Sequence, residues 1–143
     1  MPLSEFFELD GITRNVLEPG ELVTHLTLPE EAMEWDGDYQ KLRQRDSWDF
    51  PEAGVAVLWK SDSSGNPSSL RVATTGLESI PGIHIEEAEA AIADWRGTDS
   101  VDELAESMRK AGKPVQNTWF PPSYRRKMVK VLTKRACSEL LVR

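Results

Sequence analysis

The chain of 143 residues contains one cysteine, two histidines and no long apolar run. The lone thiol, Cys137, excludes a disulfide within the chain and cannot build a thiolate metal centre. Without an apolar stretch of about 20 residues, the sequence predicts neither a secretory signal after Met1 nor a membrane span. We therefore expect a cytoplasmic protein in which Cys137 is a small packed thiol on a helix.

Residues that could perform catalysis or bind a metal are equally sparse. His25 and His84 lie far from paired carboxylates, so we interpret them as surface or capped residues and not as ligands. Asp36 and Asp38 flank Gly37 as in a calcium loop, but the remaining oxygen ligands are absent at the required spacing. No Gly-rich phosphate loop occurs either, so nothing in the sequence could cradle a nucleotide pyrophosphate. The sequence predicts no catalytic residue and no metal site.

Charge is unevenly distributed along the chain. The net charge is -7, yet the end of the chain is basic, with Arg125, Arg126, Lys127, Lys130, Lys134, Arg135 and Arg143 against Glu139. A basic helix on an acidic body raises the possibility of nucleic-acid binding. An acidic chain repels phosphate at long range, however, and no aromatic residue lies among these cations, so we predict no nucleic-acid partner. Two alternatives remain, a solvated helix face or docking to an acidic partner, and we favour docking.

Three of these cations, Arg125, Arg126 and Lys127, fall in the first turn of the predicted last helix. The helix dipole disfavours cations at that position. Contact with an acidic partner, or with a carboxylate elsewhere in the chain, would explain their presence.

The length and the 39% hydrophobic content fit one domain. We expect residues 1–18 to form a linker that turns at Asp10 and Gly11 and carries an aromatic anchor, Phe6 and Phe7. Residues 19–143 would then form the domain itself.

Strand patterns fill the first half of the domain. Residues 21–28 alternate between aliphatic and polar positions between a Pro-Gly turn and Pro29, which predicts a half-buried strand. Residues 39–45 predict a second strand with a cationic face of Lys41, Arg43 and Arg45. Residues 55–60 are apolar on both faces, as in a central strand, and residues 70–75 return antiparallel to them after a polar turn.

Helical patterns follow Pro81. Ile85, Ala88, Ile92 and Trp95 have helical spacing, and Ser100 with Glu103 forms a capping box that would open a second helix with Leu104, Ala105, Met108 and Ala111 inward. Ser123 would cap a last helix whose inner positions are Tyr124, Met128, Leu132, Ala136 and Leu140. Strands followed by helices predict an α+β fold, with a small antiparallel sheet of three to four strands packed on about three helices.

Several motifs occur in a fixed order along the chain. They are Pro-Leu-x-x-Phe-Phe at 2–7, Leu-x-Pro-Gly-Glu-Leu at 17–22, the set Lys41, Arg45 and Ser47, the sequence Arg-Val-Ala-Thr-Thr-Gly at 71–76, Glu-Ala-Glu at 87–89, and the helix that starts Ser-Tyr-Arg-Arg-Lys at 123–127. In this order they resemble the C-terminal domain of the FAD-binding (medium) subunit of molybdenum hydroxylases, the xanthine dehydrogenase, CO dehydrogenase and aldehyde oxidoreductase group. The 71–76 motif departs from the Ala-Leu-Gly-Gly type usual there.

The resemblance implies a domain that covers FAD, which an N-terminal FAD-binding domain absent from this chain would hold. It also implies molybdopterin and iron–sulfur clusters in partner subunits or domains, and electron transfer from molybdopterin through the clusters to FAD. In the family, the lysine matching Lys41 lies close to the flavin ring, and the strand matching residues 21–23 also approaches it. Lys41 and Val23 are therefore the predicted cofactor-binding residues.

Other features of the complex are left open by the sequence. Arg43, Arg45 and Asp49 are interpreted as structural or interface charges. A homo-oligomer is possible, and a pure assembly domain without flavin contact is the alternative function.

Overall fold

The computed structural model describes residues 1–142. Four strands form one antiparallel sheet in chain order: β1 Asp36–Leu42, β2 Ala53–Ser61, β3 Pro67–Thr75 and β4 Gly82–Ile83. Three helices follow: α1 Ile85–Ile92, α2 Thr98–Ala111 and α3 Pro122–Leu141. Two short 3₁₀ turns, Leu3–Glu5 and Glu30–Glu34, precede the sheet. The predicted α+β architecture is confirmed.

The helices cover only one face of the sheet. Along β2, the buried side chains of Ala53, Val55, Val57 and Trp59 alternate with residues on the opposite face. α3 packs against β1 and β2, α1 packs against β3, and α2 packs against the other two helices. The central position predicted for residues 55–60 is confirmed, because β2 is hydrogen-bonded to a strand on each side.

The predicted strand at residues 21–28 is wrong. These residues have no regular secondary structure, and β4, which was not predicted, is the fourth strand of the sheet. An alternating pattern shows which side of a strand could be buried, but it does not show whether a neighbouring strand is present. β1 also starts earlier than predicted and ends at Leu42, so Arg43 and Arg45 lie in the following loop and the predicted cationic strand face does not form.

α2 begins differently from the prediction. Ser100 is its third residue, and its buried hydroxyl accepts a hydrogen bond from the Arg96 backbone N–H at 2.9 Å and donates one to the Asp94 carbonyl at 3.3 Å. Gly97, at φ +64°, occupies the N-cap position. The serine therefore holds the turn between α1 and α2 and does not form a capping box.

α3 begins at Pro122, and no side chain caps it. The first helical position tolerates proline because its missing N–H has no partner within the helix. The buried side of the helix consists of Arg125, Val129, Leu132, Thr133, Ala136, Cys137 and Leu140. The predicted inner positions Leu132, Ala136 and Leu140 are thus buried, whereas Tyr124 is exposed and Met128 is half-buried because the buried stripe starts one residue later.

Arg125 is fully buried at the start of α3. Its guanidinium donates to the carbonyls of Glu52 at 2.7 Å and Val115 at 2.6 Å, to Asn117 Oδ1 at 3.0 Å, and to the Gly76 carbonyl. Burial lowers the pKa of Arg125, although the Glu52 carboxylate acts in the opposite direction. Main-chain oxygens supply most of the hydrogen bonds of this cation, and the Glu52 carboxylate contributes electrostatically, so contacts within the chain account for its position.

Other cations of α3 pair with α2. Lys130 Nζ lies 2.8 Å from Glu106, and Lys134 Nζ lies 2.6 Å from Asp102. Hydrogen bonds from Arg109 and then Lys130 lower the pKa of Glu106 to about 2. Because Lys130 and Lys134 form ion pairs within the chain, they are less available to bind an acidic partner. The prediction that α3 docks to such a partner therefore has less support from the structure than from the sequence.

Candidate functional site

Lys41 lies on the face of the sheet that the helices leave uncovered. Its neighbour Leu42 packs against the hydrophobic core, so Lys41 points to the opposite side, where it is in register with Gly54 of β2. The side chain is half-buried, and Nζ donates to the carbonyl of Asp49 at 2.8 Å. The loop that follows β1 therefore holds the ammonium at one end of the uncovered face.

Gly54, in register with Lys41, is buried beneath two hydroxyl-bearing side chains. The Tyr39 hydroxyl and Thr75 Oγ1, from the strands on either side, lie 3.2 Å apart. A Cβ at position 54 would lie 2.4 Å from Thr75 Oγ1 and 2.5 Å from the Tyr39 hydroxyl. Only glycine leaves room for this pair of hydroxyl groups to meet across the middle strand.

The loop between β1 and β2 is held by Asp49. Its carboxylate accepts the backbone N–H groups of Gln44 and Arg45, each at 2.8 Å, and these bonds contribute to a lowered pKa of Asp49. The Arg45 guanidinium donates to the Trp48 carbonyl at 3.2 Å. Trp48 adopts φ +48°, uncommon for a residue other than glycine. Arg45 and Asp49 thus act as loop-forming charges, as interpreted from the sequence.

The opposite end of the same face is partly covered. Trp35 lies against it, with the Arg71 guanidinium 4.4 Å and Lys60 Nζ 5.3 Å from the ring. Lys60 also pairs with Glu34 at 2.7 Å. Exposure also differs along the face: Leu58 and Arg71 are exposed at the end near Trp35, whereas Lys41 and Thr75 are half-buried and Gly54 is buried at the other end.

Val23 lies in a different environment. It lines an open groove of about 430 Å³, called here the N-terminal groove, which is formed by Met1, Pro2, Leu3, Phe6, Leu17 and residues 22–27. Lys41 is not among these lining residues, and within residues 1–142 no hydrogen bond or ion pair joins it to Val23. The structure does not bring the two predicted site residues together.

The remaining reactive groups have structural surroundings. His84 is buried, its Nε2 lies 2.9 Å from Thr74 Oγ1, and desolvation lowers its pKa. His25 contacts only the hydroxyl of the adjacent Thr24. Burial raises the pKa of Cys137 to about 12, which suppresses its nucleophilic thiolate. Among the described residues, no group of three or more His, Cys, Asp or Glu side chains is arranged to hold a metal ion.

Tyr39, Gly54 and Thr75 were not identified from the sequence as parts of the site. A glycine in the interior of a strand often marks close approach of another group, so Gly54 could have predicted such a contact from the sequence. Glu52 was also missed: it is buried beside the same loop, with Oε1 accepting from Gln44 Nε2 at 2.8 Å and Oε2 without a partner among residues 1–142.

No helix in the part of the chain that the structure describes is long and apolar enough to cross a membrane.

The fold is similar to parts of several solved enzymes. A reconstituted CO dehydrogenase from Oligotropha carboxidovorans matches with a TM-score of 0.77 and 22% identity, over 97% of this chain and 47% of the matched chain. A CO dehydrogenase from Hydrogenophaga pseudoflava, which lacks the Mo-pyranopterin moiety of its molybdenum cofactor, matches with a TM-score of 0.64 and 25% identity, over 73% and 36%. Quinoline 2-oxidoreductase from Pseudomonas putida 86 gives 0.66 and 16%, over 76% and 37%. This chain thus spans less than half of each matched chain.

A family model supports the same assignment from the sequence. The model of the CO dehydrogenase flavoprotein C-terminal domain matches residues 38–140, which include all four strands except the first two residues of β1, and all three helices except the last residue of α3. The chain therefore belongs to the CO dehydrogenase flavoprotein C-terminal domain family.

Proposed function

We propose that this chain is the C-terminal domain of the FAD-binding subunit of a molybdenum hydroxylase, covering FAD that another domain holds. Residues 1–18 would serve as the linker and residues 19–143 as the domain. Membership of a flavoprotein domain family supports this proposal, and the observation that carries it is the Lys41 ammonium on the uncovered sheet face, close to the paired hydroxyl groups of Tyr39 and Thr75.

The residues around Lys41 fit one edge of a flat ring system. Lys41 Nζ has three protons, and only the Asp49 carbonyl accepts from it among the described residues. Gly54 leaves room for the hydroxyl groups of Tyr39 and Thr75 to meet, and these groups make the adjacent surface polar. With no phosphate-binding loop, this chain would contact the ring and leave the pyrophosphate to another domain.

When bound, FAD would supply the redox chemistry of the complex. Lys41 would place a fixed positive charge beside the ring, favouring the reduced, anionic form by electrostatic stabilisation. Val23 is proposed as a second contact, although it lies in the N-terminal groove and not beside Lys41. Molybdopterin and iron–sulfur clusters would belong to partner subunits or domains.

A specific observation favours the alternative, an assembly domain without flavin contact. Trp48, Phe50 and Trp119 are 98%, 90% and 91% exposed. They lie in neighbouring loops, because Arg125 binds both Glu52 and Asn117. Exposed aromatic side chains of this kind are enriched in protein interfaces.

Replacement of Lys41 by methionine in the assembled flavoprotein separates these functions. Lys41→Met keeps much of the stem and removes the charge, so we expect the flavin midpoint potential to fall by some tens of millivolts, where ~30 mV equals about 1.4 kcal/mol for two electrons. Lys60→Met is the matched control, because Lys60 lies on the same face but at the end near Trp35. Equal potentials in the wild type and Lys41→Met would favour the assembly function.

A further inference from the structure

The 22–28 segment has the sequence of a strand but makes no strand pairing. Leu22, Leu26 and Leu28 share one side of the alternation and are 72%, 74% and 77% exposed. Val23 on the other side is 49% exposed. β2 shows a similar alternation, but its inward aliphatic side chains Ala53, Val55 and Val57 are fully buried. The difference between the two segments lies in pairing and not in sequence pattern.

The backbone of this segment is also without partners. Among residues 1–142, no backbone hydrogen bond involves the N–H or C=O groups of residues 22–28, and the contact between Thr24 and His25 is one between side chains. A segment that exposes leucines together with unpaired backbone groups can serve as a template for strand pairing once it is extended.

Turns fix both ends of the segment. Glu21 N–H donates to the Glu18 carbonyl at 3.0 Å, and Gly20 adopts φ +95° in this turn. At the other end Pro29 lacks an N–H, and its carbonyl accepts from Ala32 at 2.9 Å in the following 3₁₀ turn. Between these turns lies enough extended chain to span roughly 23 Å at about 3.3 Å per residue.

We propose that the 22–28 segment is a strand that pairs with an open sheet edge of the domain holding the flavin, with its three leucines entering that domain's core. The proposal rests on the part of the proposed function that makes this chain one domain of a larger flavoprotein, but it does not require contact between Lys41 and flavin.

The choice of partner follows from two observations. This chain covers 47% of the matched chain of the Oligotropha enzyme. More than half of that matched chain therefore lies outside the matched region and can supply a sheet. Pairing of two copies of this chain would give only a two-stranded ribbon, which is marginally stable in water. A sheet that already exists provides both the edge and the apolar surface that the leucines require.

Hydrogen exchange followed by mass spectrometry tests the pairing directly. We expect amides of residues 22–28 to exchange rapidly in this chain alone and roughly 100-fold or more slowly after assembly with the rest of its flavoprotein. Unchanged exchange after assembly would overturn the proposal. Protection of these amides in the isolated chain would also overturn the proposal. Protection that depends on protein concentration would indicate pairing with a second copy, and protection that does not would indicate packing on the chain's own surface.

A pair of variants tests the leucine side. Leu26→Asp should weaken assembly by roughly 100-fold, because a charge would enter an apolar core. Leu9→Asp is the control, since Leu9 is 68% exposed but lies outside the segment. Equal weakening by both variants, or by neither, would contradict the proposal. The flavin potential of Lys41→Met is measured independently of this assembly. If the segment pairs but the potential is unchanged, flavin contact by Lys41 is rejected and the strand pairing is retained.

Discussion

The two faces of the sheet differ in the side chains that the same strands contribute to them. On the covered face, Val55, Val57 and Trp59 of β2 fill the space beneath the helices. On the uncovered face, the same strand contributes Gly54, Ala56, Leu58 and Lys60, of which Leu58 is 38% exposed. The comparison indicates that the covered face serves packing, whereas the uncovered face has small side chains near Lys41 and larger ones near Trp35.

The cations on the two sides differ in the same way. Arg125, on the covered side, is fully buried and has four acceptors. Lys41, on the uncovered side, has one acceptor among the described residues and two further protons for a ligand. We infer that Arg125 serves folding, whereas Lys41 remains available for binding.

The largest expected effect is on the covered side, at Arg125. Arg125→Met leaves the acceptors at Glu52, Gly76, Val115 and Asn117 without their donor, and each group left unsatisfied costs about 1–3 kcal/mol, so we expect a loss of at least about 4 kcal/mol in the free energy of unfolding. Urea denaturation measures it.

Arg126→Met is the control for that measurement. Arg126 is exposed and adjacent, so its replacement should cost about 0.5 kcal/mol or slightly more. Similar losses for the two variants would contradict a special role of the buried guanidinium.

A second effect tests the packing of α3 on the sheet. Leu132 is buried, and Leu132→Ala should cost about 2–5 kcal/mol through lost burial and a residual cavity. The adjacent Val131 is partly exposed, so Val131→Ala should change stability by about 0.5 kcal/mol. Denaturant midpoints in the reverse order would mean that the buried side of the helix is misplaced.

A smaller effect is expected on the uncovered face. Gly54→Ala should separate the hydroxyl groups of Tyr39 and Thr75 and cost about 1–3 kcal/mol, because its Cβ would overlap both. On the same face, a Cβ at Gly37 would be no nearer than 3.4 Å to its packing neighbours, with Leu58 Cγ at 3.4 Å and the Val57 carbonyl oxygen at 3.6 Å, so Gly37→Ala should be nearly neutral. If both variants are neutral, close packing over Gly54 does not require glycine.

The smallest effect concerns pH. Burial lowers the folded-state pKa of His84 below its ordinary value of 6.5, so the unfolded chain binds more protons just below that pH. The contribution of His84 is therefore complete above about pH 6.5 and declines as the pH falls toward the folded pKa. His84→Gln should reduce the slope of unfolding free energy against pH in this window. Equal slopes for His84→Gln and the wild type would exclude this linkage.

Sequence patterns predicted the elements whose partners are close in the chain. Residues 55–60 and 70–75 form a hairpin, and apolar alternation with a polar turn was sufficient to locate it. Helix positions such as Leu132 and Leu140 followed from spacing alone. Local patterns succeed there because they describe contacts within one or two neighbouring elements.

Contacts between distant segments could not be predicted in this way. Arg125 looked like a surface cation because the carbonyls that bind it come from three separate loops. The hydroxyl pair over Gly54 joins β1 to β3, which are far apart in sequence. Residues 21–28 were assigned to the sheet because periodicity reports amphipathicity and does not identify a neighbouring strand. Lys41 and Val23 as flavin contacts remain predictions.

The packing of α3 on β1 and β2 also has a kinetic consequence. The strands come early in the chain, and the helix that covers them comes last. During synthesis the hairpin of β2 and β3 can form early and α1 can cover β3, but the apolar side of β1 and β2 stays exposed until α3 has been synthesised. Because loop closure between distant segments is slow relative to local pairing, docking of α3 is expected to be a late step of folding, and the partly covered sheet is the species most prone to aggregate.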